Sequence, residues 1–155
     1  MSAPVSRVGG RVVLIDPDER VLLIQERIED GQTHWLTPGG GIEAGESPRE
    51  AAVREATEET GVEVSLAPDA PVVLVTRRLW TWAGVTYDQV DYFFLARVPA
   101  GIEVAARALT AVEKQTLIGY RWWSAEDLRG TAEIVEPPEL ADLLDRLPGA
   151  LLAGG

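Results

Sequence analysis

The residues of this chain best suited to chemistry are three glutamates on one predicted helix. Glu55, Glu58 and Glu59 fall within an arc of about 100° when the segment is drawn as a helix. Glutamates four residues apart repel each other and destabilise an isolated helix, so these carboxylates call for water or a cation. Carboxylate oxygens that converge from a rigid helix suit a hard cation such as Mg2+ or Mn2+. The alternative is a solvated acidic face without a ligand.

The segment that carries these glutamates has clear helix signals. Ser47 and Glu50 stand at the two positions of a capping box, with a first-turn proline between them, which predicts a helix over 47–60. Gly61 provides the left-handed residue that ends it. Ahead of the helix, a run of glycines from Gly39 to Gly41 lets the backbone bend sharply and approach a ligand closely.

Taken together, the glycine run and the helix carry a family resemblance. From Gly40 to Val62 the spacing is G-x5-E-x7-R-E-U-x-E-E-x-G-U, where U is apolar, and it resembles the Nudix box. All seven fixed positions are filled, by Gly40, Glu46, Arg54, Glu55, Glu58, Glu59 and Gly61. The departure is Ala56, a small residue where Leu, Ile or Val is usual.

The resemblance implies an activity and roles for these residues. It implies metal-dependent hydrolysis of a pyrophosphate bond in a nucleoside diphosphate linked to another group. Glu55 and Glu59 would be the principal ligands of Mg2+ or Mn2+, and Glu58 would be a further ligand or the general base. Arg54, braced by Glu46, would orient the carboxylates. Gly39 and Gly40 would lie against the substrate.

The rest of the chain matches the resemblance in the order of its elements. Strands are predicted at Arg11–Asp16, Val21–Gln25, Val62–Leu66, Val72–Trp82, Val85–Val98 and Ile118–Ser124. A second long helix is predicted from Pro137 to a stop at Pro148-Gly149, with a frayed tail from about residue 150. Residues 1–155 therefore predict one α/β (α+β) domain, and the resemblance implies a mixed central sheet sandwiched between helices.

Composition excludes several classes of protein. The 155 residues contain no cysteine and one histidine, His34, which excludes disulfide scaffolds, thiolate metal sites and a cysteine nucleophile. The net charge of −11 argues against binding to nucleic acid, and phosphate groups would require a cation to bind here. The sequence shows neither a signal peptide nor an apolar run long enough to span a bilayer. We therefore expect a cytoplasmic protein with no membrane partner.

Two further site candidates rest on weaker signals. Glu113 precedes the last predicted strand, where many family members place an additional carboxylate, and Glu103 is the reserve. Arg78 shares one face of a strand with Trp80 and Trp82, an arrangement that can bind a phosphate and stack a base. The alternative for Glu113 is a solvated acid in a loop. The alternative for Arg78 is a place on an amphipathic strand that covers the core. His34 is expected near the entrance of the site.

The sequence is compatible with several hypotheses about function. A Nudix-fold module that binds a nucleotide without cutting it is the main alternative to a hydrolase, although its usual mark would be an eroded box. An isomerase on the same fold depends on a catalytic cysteine, which this chain lacks. The substrate is expected to be a small nucleotide: a nucleoside triphosphate, ADP-ribose, a dinucleoside polyphosphate or a nucleotide sugar. A homodimer is common in the family.

Overall fold

In a computed structural model of the protein, residues 2–28, 31–106, 109 and 111–154 are described. The strands are β1 (Val5–Ile15), β2 (Val21–Arg27), β3 (Thr33–Leu36), β4 (Gly39–Gly41), β5 (Leu74–Trp82), β6 (Val85–Arg97), β7 (Leu117–Trp123) and β8 (Ile134–Glu136). The helices are α1 (Pro48–Thr60), α2 (Ala111–Thr116), α3 (Ala125–Gly130) and α4 (Leu140–Gly154). Within the described ranges, no helix is both long and apolar enough to cross a membrane.

The first two strands form a hairpin. Ile15 of β1 faces Val21 of β2 in antiparallel register. The turn between them is fixed by Asp16, whose carboxylate accepts the backbone N–H groups of Asp18 at 3.0 Å and Arg20 at 2.9 Å. This is the local hydrogen bonding that favours aspartate at turns.

One mixed sheet holds all the strands. Its main path runs β5-β6-β1-β2-β3-β8, with β4 paired to β1 and β7 paired to β2. Strand β6 runs parallel to β1 along the whole length of β1, from Val5 opposite Tyr87 to Ile15 opposite Arg97. Strands β1 and β2 pair only at their turn, so β4 occupies the other side of β1 next to the start of α1. This arrangement brings the glycines of β4 against the first long helix.

Helices cover the two faces of this sheet. Alternate side chains of β1 point to opposite faces, so Val12 and Leu14 pack in a cluster with Ala52 and Ala56 of α1. On the other face, α4 contributes a leucine stripe, and the cluster there comprises Val13, Ile15, Val21, Leu23, Trp35, Phe93, Trp123, Leu140, Leu143, Leu144 and Leu147. The predicted α/β fold with a mixed sheet between helices is confirmed.

Helix α1 begins and ends as its sequence predicts. The Ser47 side chain accepts the Glu50 N–H at 3.2 Å, and the Glu50 carboxylate accepts the Ser47 N–H at 3.2 Å, which completes the capping box. Gly61 has φ 72° and donates its N–H to the Thr57 carbonyl at 2.9 Å. Because both ends are fixed, the side chains of α1 are held at defined positions relative to β4.

Two of the predicted elements are wrong. Residues 62–66 form no strand; Val62, Val64 and Leu66 instead pack against the α1 side of the core without a strand partner, so burial alone accounts for their alternating pattern. Helix α4 does not stop at Pro148-Gly149 but continues to Gly154. A proline removes one backbone donor and disfavours the helix around it, but it does not oblige the helix to end.

Candidate active site

The glycines of β4 lie directly against the acidic side chains of α1. The backbone N–H of Gly39 donates to a carboxylate oxygen of Glu59 at 2.9 Å. At Gly40, a Cβ atom would lie 2.7 Å from the carboxylate carbon of Glu55, so no larger residue fits without moving that carboxylate. The glycine run therefore allows the backbone of β4 to approach the glutamates of α1.

Three carboxylates converge beside β4. Glu55 and Glu59 from α1 and Glu113 from α2 each offer an oxygen, and these oxygens lie within 4.8 Å of one another. Glu59 is only 3% exposed, so the alternative of a solvated acidic face does not hold for this side chain. Tyr120 donates its hydroxyl hydrogen to the backbone carbonyl of Glu59 at 2.5 Å and anchors this end of the helix. We call Glu55, Glu59 and Glu113 the carboxylate cluster.

The carboxylate cluster is electrostatically unfavourable without a cation. Burial raises the pKa of Glu59 well above its ordinary value, and the nearby charge of Glu55 raises that pKa further. Burial also raises the pKa of Glu55, with the charges of Glu113 and Glu58 adding to the shift. Buried carboxylates whose negative charges raise each other's pKa, and whose oxygens converge, are the donor set that a hard divalent ion prefers. The residues present fit such an ion.

Arg54 ties α1 to the loop before it. Its Nε donates to Glu46 Oε2 at 2.7 Å, its Nη2 donates to Glu46 Oε1 at 2.9 Å, and Nη2 also donates to the Gly41 carbonyl at 3.2 Å. This two-pronged contact lowers the pKa of Glu46 to about 2. Arg54 also reaches a Glu55 oxygen at 3.0 Å. It therefore sets the position of one carboxylate of the cluster.

A cavity of about 340 Å³ opens on the α4 side of the same sheet. The charged residues that line it include Arg11, Arg78, Asp91 and Glu136. Arg11 donates to the Asp91 carboxylate at 3.1 Å and to the Thr37 carbonyl at 2.8 Å. Thr37 is two residues before Gly39, so the wall of the cavity is hydrogen-bonded to the segment that leads into β4.

Comparison with known proteins places this arrangement in a family. The family model of the NUDIX domain matches residues 5–147. The chain is a Nudix hydrolase. As a member of this family it acts on pyrophosphate bonds, and its Gly40–Val62 segment is the family's box.

Relatives and solved structures agree with this assignment. The RNA pyrophosphohydrolase of Cereibacter sphaeroides strain KD131 is 34% identical over an alignment of 128 positions that covers 76% of this chain and 75% of that protein. Nudix hydrolase 25 of Arabidopsis thaliana is 35% identical over 104 residues, covering 61% of this chain and 58% of that protein. The crystal structure of a MutT NUDIX hydrolase from Burkholderia pseudomallei superposes with a TM-score of 0.66 at 25% identity, over 92% of this chain and 98% of that one. A C. elegans Ap4A hydrolase has the same fold, with a TM-score of 0.65 at 21% identity over 96% and 99% of the two chains.

The structure places some predicted site residues together and others apart. Glu113 joins the carboxylate cluster of this Nudix hydrolase, whereas Glu103, the reserve candidate, is exposed and lies outside it. Glu58 also lies outside the cluster; its side chain is 37% exposed, and its contact with Arg54 is 3.4 Å. His34 lies in β3, where its ring nitrogen is 3.7 Å from a carboxylate oxygen of Glu26.

Arg78 lines the cavity together with Arg11 and Asp91. Its Nε is 4.0 Å from the Asp91 carboxylate, and burial, followed by the nearby charge of Arg11, lowers its pKa. Its guanidinium carbon is 5.7 Å from the centre of the Trp80 ring, as their shared strand face predicts.

The buried pair of Arg11 and Asp91 was not predicted from the sequence. Arg11 is 7% exposed and Asp91 is 1% exposed. Each is a charged residue within an apolar strand. This pattern indicates a buried ion pair, because a charged side chain is seldom buried without a partner.

Proposed function

We propose that this Nudix hydrolase cleaves the pyrophosphate bond of a nucleotide with a divalent ion, Mg2+ or Mn2+, held by Glu55, Glu59 and Glu113. The observation that carries the proposal is the convergence of three carboxylate oxygens within 4.8 Å of one another, one of them on a buried side chain. A bound ion would offset the repulsion that raises the pKa values of Glu55 and Glu59. It would lower the pKa of a coordinated water and neutralise charge on phosphate oxygens.

Groups of the protein itself then orient the carboxylates, contact the substrate and accept a proton. Arg54, held by Glu46, keeps the Glu55 carboxylate turned toward the cluster. Glu58 is half-buried, lies outside the cluster and is next to Glu59 on the same helix, and we assign its carboxylate the role of accepting the proton of the attacking water. The Gly39 N–H donates to Glu59, and Gly40 is paired with Gly10 of β1, so we assign these glycines close approach to the substrate rather than hydrogen bonds to it. Because no covalent protein intermediate is required, the absence of cysteine is no obstacle.

We propose that the nucleoside binds in the cavity on the α4 side of the sheet. Arg78 is half-buried there and can bind a phosphate or the edge of a base, while Asp91 and Glu136 can accept hydrogen bonds from amino or hydroxyl groups. The negative net charge favours small nucleotides over long nucleic acids. The similarity to the RNA pyrophosphohydrolase of Cereibacter sphaeroides makes a short triphosphorylated RNA a compound to test.

The decisive experiment measures phosphate and nucleotide release from a panel of compounds. The panel contains nucleoside triphosphates, ADP-ribose, diadenosine tetraphosphate, a nucleotide sugar and a triphosphorylated dinucleotide RNA, each with Mg2+, with Mn2+ and with EDTA. We expect turnover of at least one compound that disappears in EDTA. Metal-independent turnover would refute the role of the cluster. Tight binding of one compound without turnover would indicate a nucleotide sensor instead.

A further inference from the structure

An arginine and two aromatic rings lie together next to the site. Trp80 of β5 and Tyr87 of β6 face each other across the strands and stack with ring centres 4.4 Å apart at 23°. The guanidinium carbon of Arg7, from β1, lies 5.6 Å from the Trp80 ring centre and 6.0 Å from the Tyr87 ring centre. We call Arg7, Trp80 and Tyr87 the arginine–aromatic shelf.

The shelf touches the same glycine strand as the carboxylate cluster. A Cβ atom on Gly41 would lie 2.8 Å from both Nε and Nη2 of Arg7, so this guanidinium packs directly against β4. The carbonyl of Gly41 accepts a hydrogen bond from Arg54. Gly41 therefore has the arginine that positions the cluster on one side and the shelf on the other. Direct contacts through Arg54 and Gly41 therefore link Glu55 of the cluster to Arg7 of the shelf.

A chain of buried hydrogen bonds fixes the orientation of the Trp80 ring. Its Nε1 donates to Gln89 at 3.0 Å, and Gln89 donates to the Asp91 carboxylate at 2.8 Å. Asp91 accepts from Arg11, which in turn donates to the Thr37 carbonyl ahead of β4. Gln89 and Asp91 are almost fully buried. The shelf is thus held in register with the site before any ligand binds, which reduces the entropy lost on binding.

Arg7 is the cation of this surface that has no counter-charge. Within the described ranges of the chain, its side chain is exposed and forms no ion pair and no hydrogen bond. Arg77, two strands away on the opposite face, is by contrast bound to Asp88 by two hydrogen bonds of 2.8 Å and 2.6 Å. An unpaired guanidinium beside aromatic rings can bind a phosphate oxygen while the rings contact the planar face of a base.

We propose that the arginine–aromatic shelf binds a second nucleobase and its adjoining phosphate, so that the preferred substrates carry a further nucleoside beyond the phosphates that are cut. This inference rests on the proposed function and adds the class of substrate. Dinucleoside polyphosphates and 5′-triphosphorylated RNA share this chemistry, since each presents a second base linked through phosphate. A nucleoside triphosphate lacks that base and cannot occupy the shelf and the cavity together.

The test compares Arg7→Ala with the unmodified enzyme on three substrates: ATP, diadenosine tetraphosphate and a triphosphorylated dinucleotide RNA. We expect KM for at least one of the two-base substrates to rise about 5- to 100-fold, the range that one base stack supports. We expect kcat/KM for ATP to stay within about twofold. Which two-base substrate loses more distinguishes the two sources of the second base. Arg97→Ala removes the same charge from an exposed pair with Glu19 and should change none of the three.

A binding experiment keeps the inference separate from the proposed function. Isothermal titration in EDTA should show tighter binding of at least one of diadenosine tetraphosphate and the dinucleotide RNA than of ATP to the unmodified protein, and a smaller difference in Arg7→Ala and in Trp80→Leu. Equal affinities for all three compounds, or equal losses on all three in Arg7→Ala, would overturn the second-base assignment. Absence of turnover on every compound, together with the expected binding pattern, would overturn the hydrolytic proposal and leave the shelf in place.

Discussion

Replacing Glu59 by glutamine should make the protein more stable and much less active. Glu59 is 3% exposed, and its carboxylate accepts a hydrogen bond from the Gly39 N–H at 2.9 Å. A glutamine has the same shape and still accepts that hydrogen bond through its amide oxygen. It loses the charge, and with it both the repulsion from Glu55 and one ligand for the divalent ion.

The direction and the pH dependence of the stability gain follow from the raised pKa of Glu59. An acid whose pKa is higher in the folded state than in the unfolded state stabilises the fold below its ordinary pKa. That contribution is lost as the pH rises through the folded-state pKa. Without metal, and at pH values above the ordinary pKa of a glutamate, burial of this acid therefore costs free energy of folding. We expect Glu59→Gln to raise the free energy of unfolding by about 1–3 kcal/mol, and each kcal/mol corresponds to about 2–4 °C in Tm for a domain of this size.

Thermal unfolding in EDTA and with Mg2+, together with steady-state turnover, measures both effects. We expect a higher Tm for Glu59→Gln in EDTA, a smaller increase in Tm on adding Mg2+, and a fall in kcat of several orders of magnitude. Glu58→Gln is the matched control for stability. Its carboxylate lies on the same helix, is 37% exposed and contacts Arg54 only at 3.4 Å, so its loss should leave the Tm in EDTA nearly unchanged. An unchanged or lower Tm for Glu59→Gln in EDTA, with activity retained, would refute the reasoning.

Three other perturbations test separate parts of the site. Gly40→Ala should reduce kcat at least about tenfold because its Cβ displaces the neighbouring carboxylate, whereas Gly119→Ala, where a Cβ meets nothing within 4 Å, should be close to neutral in a turnover assay. Glu113→Gln should raise the metal concentration needed for half-maximal activity about tenfold or more, whereas Glu103→Gln, outside the cluster, should leave it unchanged. The same dependence of activity on metal concentration in both variants would remove Glu113 from the site. The ion pair of Glu46, whose folded pKa is about 2 against an ordinary value of 4.5, stabilises the fold above pH 4.5 and is lost as the pH falls toward 2. Acid unfolding of Glu46→Gln should therefore depend less steeply on pH over that range than that of the unmodified protein.

Local sequence information predicted the helix that carries the site. The capping box of Ser47 and Glu50 and the left-handed Gly61 act through neighbouring backbone atoms, so they can be identified without knowledge of the fold. The same holds for the hairpin turn at Asp16. The contact between Arg54 and Glu46 spans eight residues within one loop and helix, and the spacing of the box was enough to propose it.

Long-range packing decided the features that sequence could not predict. A helical wheel shows which side of α1 Glu59 occupies but not that β4 covers that side, so its burial came from a strand 20 residues earlier. The pairing of Arg11 with Asp91 joins residues 80 positions apart through the parallel contact of β1 and β6. The strand predicted at 62–66 was wrong for a related reason, since its apolar residues pack against the core without a neighbouring strand.

The assignment of the metal site is tested most directly by the binding of Mn2+ to the unmodified protein and to Glu59→Gln, measured by electron paramagnetic resonance of the free ion. We expect saturable Mn2+ binding at the carboxylate cluster, weakened at least about tenfold in Glu59→Gln and in Glu113→Gln, and unchanged in Glu103→Gln. Equal binding of Mn2+ by all four proteins, or none by the unmodified protein, would contradict the assignment of the cluster as the metal site of this hydrolase.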